Sequence, residues 1–514
     1  MHDSAFLVLC ATCLIAGLFV ILGGPKARRF PPGPKGLPIV GNLLDIPRDY
    51  PWLTYTAWGR RYGSELIHFE ALGQHFVVVN STKVAKVLFD GRSQIYSDRT
   101  LADCKCRTGF HRNFAIMPYG EGWRERRRLF HQYFRSQAID LYHNQMMKGA
   151  RDLVQLLLDS PDNFLRHIRH TSGATVLDII YGMDVDPSDD QATEIVDKAI
   201  EVFTEIADAG GYLVDLLPPL KYLPTWFPGA GFKRQASLWK QQVDRMYEMS
   251  YREVESAARR NKARPCVASN LISKFWDSHE DPDVKETLIS VTGTAYSENG
   301  LTLQMIFTII VFVLAMLLHP EAQRKAQEEL DRVVGRDRLP EMTDRESLPY
   351  ITAMIKELLR WHTIVPSGAI HKSIVDDWYD GYYIPAGTIV IGNAWAILHD
   401  EKQYLDPEAF KPERFLTPEG ALNPSVPDPI EAFGFGRRIC PGRYFAQAAV
   451  FLYISHILSA FTITKPVDEL GNIIEPTREC IARLFYVPKP FKASIKPRFE
   501  GAEELIRSSS VYVD

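Results

Sequence analysis

The sequence predicts an α+β fold that is mainly helical and carries small β-sheets. Three observations support this. Helical periodicity dominates from about Ser81 to Ser278, broken by Pro/Gly loops. Ile306 to Leu318 is apolar on every side, the pattern of a helix buried in a large core. Alternating β-branched runs are short, at Glu65 to Asn80 and Tyr382 to Asn393. The chain has 514 residues, 46% hydrophobic and 24% charged, which suits one large globular core. A net charge of -4 lacks the basic excess of a nucleic-acid binder, so no nucleic-acid partner is expected. Seven irregularly spaced cysteines without a CxxC pair point to free thiols in a reducing compartment. Cys104 and Cys106 form a CxC that reads as two loop thiols.

Taken in chain order, Ala5 to Leu22 is almost continuously apolar and suits a membrane-spanning helix. His2 and Asp3 precede it, and Lys26, Arg28 and Arg29 follow. The positive-inside bias puts the N-terminus in the lumen and the body in the cytosol. A cleaved signal peptide fits less well, because no basic n-region or small-x-small site is present. The expected organisation is an anchor over 1–24, a basic and proline-rich linker over 25–40, and a catalytic body over 41–514. Pro31, Pro32, Pro34 and Pro38 make the linker an extended, semi-rigid strut. Glu65 to Asn80 reads as a hairpin turning at Gly73. Tyr212 to Phe232 is a loop rich in apolar residues, including Leu216, Leu217, Leu220, Trp226 and Phe227. It fits a second membrane contact or substrate doorway as well as a loop tucked onto the core. The apolar run ending at Leu318 reads as a central helix, with Thr302 and Gln304 in its first turns. Its lack of a basic flank argues against a second span. A charged helix follows Pro320 to about Val334, and another runs from about Leu348 to Trp361. Tyr382 to Asn393 is a strand region turning at Pro385-Ala386-Gly387, and helix returns after Cys440 to about Phe461.

The segment Phe433-Gly434-Phe435-Gly436-Arg437-Arg438-Ile439-Cys440-Pro441-Gly442 carries the chemistry. Its glycines allow a tight turn against a flat ligand. Pro441 suits the first position of a helix, which would place Cys440 at a helix N-terminus and favour the thiolate. Arg437 and Arg438 are expected to add positive charge beside it. The segment lacks the third glycine of a dinucleotide fingerprint.

This decapeptide resembles the haem-binding signature Phe-x-x-Gly-x-Arg-x-Cys-x-Gly of the cytochrome P-450 family, at every fixed position. Glu357-Leu358-Leu359-Arg360 resembles the family's Glu-x-x-Arg. Pro412-Glu413-Arg414-Phe415 resembles the segment that completes its ion-pair triad. Trp123-Arg124-Glu125-Arg126-Arg127 resembles its Trp-x-x-x-Arg. The likeness spans nearly the whole chain, and the phrasing of the last third is similar to fungal, especially basidiomycete, members. It implies the cytochrome P-450 fold, with haem b (iron protoporphyrin IX) between the central helix and the Cys440 loop. Cys440 would be the iron ligand, and Phe433, Gly434 and Gly442 would shape the loop. Trp123, Arg127, Arg99, His371 and Arg438 would receive the propionates. Glu357, Arg360 and Arg414 would be a structural cluster. The implied reaction inserts one oxygen atom from O2 into a small hydrophobic substrate, because cysteinate ligation favours O–O cleavage. No flavin or NADPH motif is present, so electrons would come from NADPH-cytochrome P-450 reductase at the endoplasmic reticulum membrane. Arg124, Arg128 and Arg443 are candidates for a basic docking face, and equally for solvated helix faces.

One departure concerns the central helix. Counting back from His319-Pro320, the family's acid-threonine pair falls on Leu303 and Gln304, and a two-residue slip brings Thr302 there. Thr302 and Gln304 are therefore the catalytic candidates, with Ser297, Glu298 and Asn299 nearby. Three activities stay open: a monooxygenase, a haem-thiolate isomerase or dehydratase using a preformed peroxide, and a weakly active haem-binding protein. The expected pocket walls are Arg99 to Met117, Tyr212 to Phe232, the first turns of the central helix, Thr363 to Ile370, and Cys480 to Phe485. They are largely apolar and suit hydrophobic ligands. Cys440→Ala is expected to abolish the thiolate band in the carbon-monoxide difference spectrum and to shift the Soret band of haem-supplemented protein.

Overall fold

The computed structural model describes residues 29–99, 108–185, 214, 218–227, 231–296 and 302–509. The expected anchor, Cys104, Cys106 and residues 297–301 lie outside them. No single described helix is long and apolar enough to cross a membrane.

The first helix, α1 (Pro51–Tyr62), leads into the hairpin β1 (Leu66–Ala71) and β2 (Gln74–Val79). The hairpin turns on two residues, Leu72 at φ 50° and Gly73 at φ 80°. Two consecutive positive φ values match the right-handed strand twist, and glycine takes the second without strain. Helices α2 (Glu121–Phe134), α3 (His143–Asp159), α4 (Phe164–Tyr181), α5 (Gly231–Arg259), α6 (Val267–Lys274) and α7 (Pro282–Tyr296) follow. Then come α8 (Thr302–Leu318), α9 (Pro320–Val333) and α10 (Pro349–Trp361). Strands β3 (His371–Lys372), β4 (Asp377–Tyr379), β5 (Tyr382–Ile384) and β6 (Ile389–Gly392) precede the long helix α11 (Arg443–Ala460).

Helices α8 and α11 are buried on almost every side, as their unbroken apolar sequence demands. They form the centre of the main core together with α3, α4 and α10. The α8–α9 junction bends by 108° at His319-Pro320, where proline opens the next helix. The principal sheet has the order β1-β2-β6-β3, with β2 and β6 parallel and the other pairs antiparallel. The linker's proline-rich stretch lies on this sheet. Phe30 stacks on His68 at 4.6 Å, and the His68 N–H donates to Pro32 O at 3.0 Å. A Cβ on Gly33 would come within 1.8 Å of His68 O, so only glycine permits the approach.

The central helix is described over Thr302–Leu318, as expected. Two expectations need correction. The last long helix begins at Arg443, so Pro441 lies in the turn before it and not at its first position. The apolar loop ends before Gly231, because Gly231 and Phe232 already belong to α5. Within that loop Tyr222, Trp226 and Phe227 are exposed. Val214 is buried and Leu220 packs against the main core, while Leu216 and Leu217 lie outside the described positions.

The expected charge cluster forms. Arg360 Nε and Nη2 donate to the Glu357 carboxylate at 2.7 and 2.9 Å, and Arg414 Nε donates at 3.0 Å. The Lys411 N–H adds a bond at 2.8 Å. Glu357 and Arg360 are fully buried. Arg360 also donates to Leu398 O and Ala409 O, and Arg414 to Leu405 O, Asp406 O and Ala409 O. One carboxylate thus pins α10 to the meander at 398–415. Removing a single partner leaves buried charge uncompensated, at about 3–5 kcal/mol. Glu357→Gln and Arg360→Leu are each expected to lose about that much in denaturant unfolding, and Arg414→Leu less, because Arg414 keeps solvent access.

Candidate haem-thiolate site

The Cys440 loop is held by close packing and backbone bonds. Gly434 sits at φ 90° and Gly436 at φ 54°. A Cβ on Gly436 would approach Phe89 O to 2.1 Å. Phe435 stacks on Phe89 at 5.0 Å, and its ring fills the space where a Cβ on Gly392 of β6 would stand. The loop closes on itself through the Cys440 N–H, which donates to Phe433 O at 2.8 Å. Phe433 is buried, and Gly442 caps the N-terminus of α11. Cys440 keeps partial surface exposure although protein atoms crowd around it. Burial raises its thiol pKa, while the Gly442 N–H and the charges of Arg127 and Arg443 oppose that rise. The cations that act on the sulfur are therefore Arg127 and Arg443, not the expected Arg437 and Arg438. Arg437 turns away to the Tyr119 hydroxyl.

Arg438 points instead into a buried cationic cluster. Its Nε donates to Ser97 O at 2.7 Å and its Nη2 to Met117 O at 2.7 Å. Its guanidinium lies 4.2 Å from the Trp123 ring centroid, so Trp123 serves as its platform. Arg99 donates to Ala115 O at 3.3 Å and Ala369 O at 2.8 Å. Arg127 donates to Ile439 O, beside the cysteine. His371 is buried on β3 and donates from Nδ1 to Tyr96 O at 2.7 Å. None of these bonds reaches a carboxylate. Burial and mutual repulsion lower the pKa of Arg438 to about 8. Burial lowers Arg99 to about 9 and Arg127 to about 10. His371 falls well below its ordinary value through burial and the nearby Arg99. Among the described residues, Asp98 is the carboxylate that counters Arg99 and Arg438.

Two buried arginines, Arg99 and Arg438, and the half-buried Arg127, with one opposing carboxylate, call for further negative charge. A planar dianion that carries a metal would supply that charge, with Cys440 as the residue available to hold the metal. Haem with its two propionates fits this donor set. The segment 113–117 joins this region to α7: Phe114 N–H donates to Thr294 Oγ1 at 3.3 Å, while Arg438 reaches Phe114 O.

A family model for cytochrome P450 matches residues 31–493. The chain belongs to the cytochrome P450 family. Among similar proteins, cytochrome P450 monooxygenase ple1 of Rhodocybe pseudopiperita is 39% identical, covering 94% of this chain and 92% of the relative. Cytochrome P450 monooxygenase 208 of Postia placenta is 38% identical over 98% of both chains. Tryptamine 4-monooxygenase of Psilocybe cyanescens is 36% identical, covering 98% of this chain and all of the relative. The chain is accordingly a P450 monooxygenase, an oxidoreductase that takes haem, O2, a redox partner and a substrate.

The structure brings Cys440, Phe433, Gly434, Gly442, Arg438, Trp123, Arg127, Arg99 and His371 into one connected region of this P450. Thr302 does not offer a free hydroxyl, because it donates to Tyr296 O at 3.2 Å. Gln304 is half-buried, and its Nε2 lacks a hydrogen-bond partner. Ser297, Glu298 and Asn299 lie outside the described residues. On the proposed docking face, Arg124 is exposed and paired with Glu121 at 2.8 Å, and Arg128 is exposed. Arg443 is half-buried and donates to Cys440 O and the Tyr444 hydroxyl. Sequence reasoning missed Phe89, Asp98 and Tyr119. Tyr119 precedes Trp123 by four residues, a spacing that hints at a shared face; Phe89 and Asp98 carry no such signal.

Arg438→Leu is expected to have opposite effects on the two forms of this P450. The haem-free protein should unfold at the same or a higher denaturant concentration, because cation repulsion falls. The haem-to-protein absorbance ratio of the purified holoprotein should drop.

Proposed function

We propose that this P450 is a single-pass protein of the endoplasmic reticulum membrane with its catalytic body in the cytosol. On this reading it binds haem b through Cys440, accepts electrons from NADPH-cytochrome P-450 reductase, and oxidises a small hydrophobic substrate. The observation that carries the haem assignment is the under-neutralised cluster of Arg99, Arg127 and Arg438, of which Arg127 lies beside Cys440. Haem bound there supplies the oxygen-activating chemistry. The protein's residues do the rest. Arg438, held on Trp123, would orient one propionate edge with Arg99 and His371, and Arg127 would bridge the ring edge to the Cys440 loop. The Gly442 N–H bonds the Cys440 sulfur, which would tune its electron donation. The apolar Ala5 to Leu22 and the basic residues after it support the membrane placement.

The proton supply differs from the family pattern. Thr302 is occupied by Tyr296 O, and Gln304 offers amide N–H groups but no acidic proton. Ser297, Glu298 and Asn299, outside the described residues, remain the sequence's candidates for a proton donor. A peroxide-driven isomerase or dehydratase is the reading that the same feature favours in second place. Product formation with reductase, NADPH and O2 is expected to exceed peroxide-driven turnover, and Gln304→Thr is expected to raise the ratio of product to NADPH consumed. Product formed only with peroxide would reject the reductase-dependent reading.

A further inference from the structure

Helix α8 contains no charged residue, and its polar side chains are Thr302, Gln304 and Thr308. Thr302 is satisfied by Tyr296 O. The other two are not: Gln304 Nε2 and Thr308 Oγ1 are shielded from solvent and have no hydrogen-bond partner. Thr308 is only 2% exposed. A buried threonine on a helix has an inexpensive way out, namely donation to the carbonyl four residues back. Thr171, Thr175 and Thr292 on neighbouring helices all do this, each at 2.9 Å. Thr308 does not.

Gln304 and Thr308 are four residues apart and share one helix face. Phe307, on the same side, meets the Phe485 ring with centroids 6.3 Å apart. The next residue, Tyr486, donates its N–H to Ile364 O at 2.9 Å. This face therefore adjoins three of the expected pocket walls: the first turns of the central helix, 480–485 and 363–370.

Two unpaired donors in an apolar wall are costly, and a ligand that pairs with them gains selectively over one that does not. We propose that Gln304 and Thr308 form a subsite for a neutral oxygen function, a hydroxyl or carbonyl, on an otherwise lipophilic substrate. The amide N–H and threonine O–H both donate to a carbonyl, and the threonine oxygen accepts from a hydroxyl. An ammonium group finds no carboxylate on α8. The chain is thus built for a lipophile that already carries oxygen. This inference rests on the haem-thiolate reading of Cys440.

The test is a Soret-shift titration of the haem-loaded full chain. The probes are two matched sets: decalin, decalol and decalone, and cyclododecane, cyclododecanol and cyclododecanone. In the native protein the best oxygenated member is expected to bind about tenfold more tightly than its hydrocarbon, as one to two added hydrogen bonds allow. The advantage should shrink in Gln304→Met and in Thr308→Val, both close in volume, and vanish when they are combined. A native protein without the thiolate carbon-monoxide band would overturn the underlying reading and the inference with it. With that band intact, equal binding across a set, no shift from any probe, or an advantage that survives both substitutions overturns the inference alone. The native ratio decides even where a variant loses haem.

Discussion

One carboxylate, that of Glu357, organises the side of the molecule behind the cysteine loop. It accepts from two guanidinium groups and a backbone N–H, and both guanidinium groups extend to main-chain carbonyls of the 398–415 meander. Arg360 also lies 5.5 Å from the Tyr404 ring centroid, and the Tyr404 hydroxyl donates to Pro427 O. The order imposed at Glu357 thereby reaches the segment that ends at Cys440. A buried ion cluster adds little net stability, but it accepts one geometry and rejects others. That suits a loop whose sulfur must meet a metal at a fixed position.

The second constraint is electrostatic and runs the other way. The cluster of Arg99, Arg127 and Arg438 is unfavourable by itself, because each guanidinium bonds carbonyls that bring no countercharge. The fold holds these groups in place through Ser97, Met117, Ala369 and Ile439, which belong to distant parts of the chain. A dianion bound there would restore the stability lost. On the proposed haem assignment, cofactor binding and final folding would be coupled through charge as well as through a bond from Cys440 to the iron.

Much of this was legible in the sequence. Apolar runs without a polar face gave α8 and α11, alternation gave the β1–β2 hairpin, and prolines marked the start of α9. Glu357 and Arg360 are spaced for one helix face, and the motif pattern supplied Arg414. What escaped was contact between segments far apart. Nothing local says that Phe89 will stack on Phe435, that Asp98 will counter Arg99 and Arg438, or that Arg437 and Arg438 will diverge to different partners. Neighbouring charges look alike in sequence, and only packing decides which one faces the sulfur. The start of α11 was misplaced by two residues because proline fits a turn as readily as a helix start.

The sheet and the cationic cluster share a further property. Strand β2 pairs with β6 more than three hundred positions later, and Arg438 reaches back to Ser97 across 341 residues. Contacts of such high sequence separation form late, because long loops must close before they contribute any stability. During synthesis the helical middle of the chain can condense first, while the haem cradle waits for residues near the C-terminal end to leave the ribosome. Cofactor capture thus falls after most of the polypeptide has been made, and it closes the molecule.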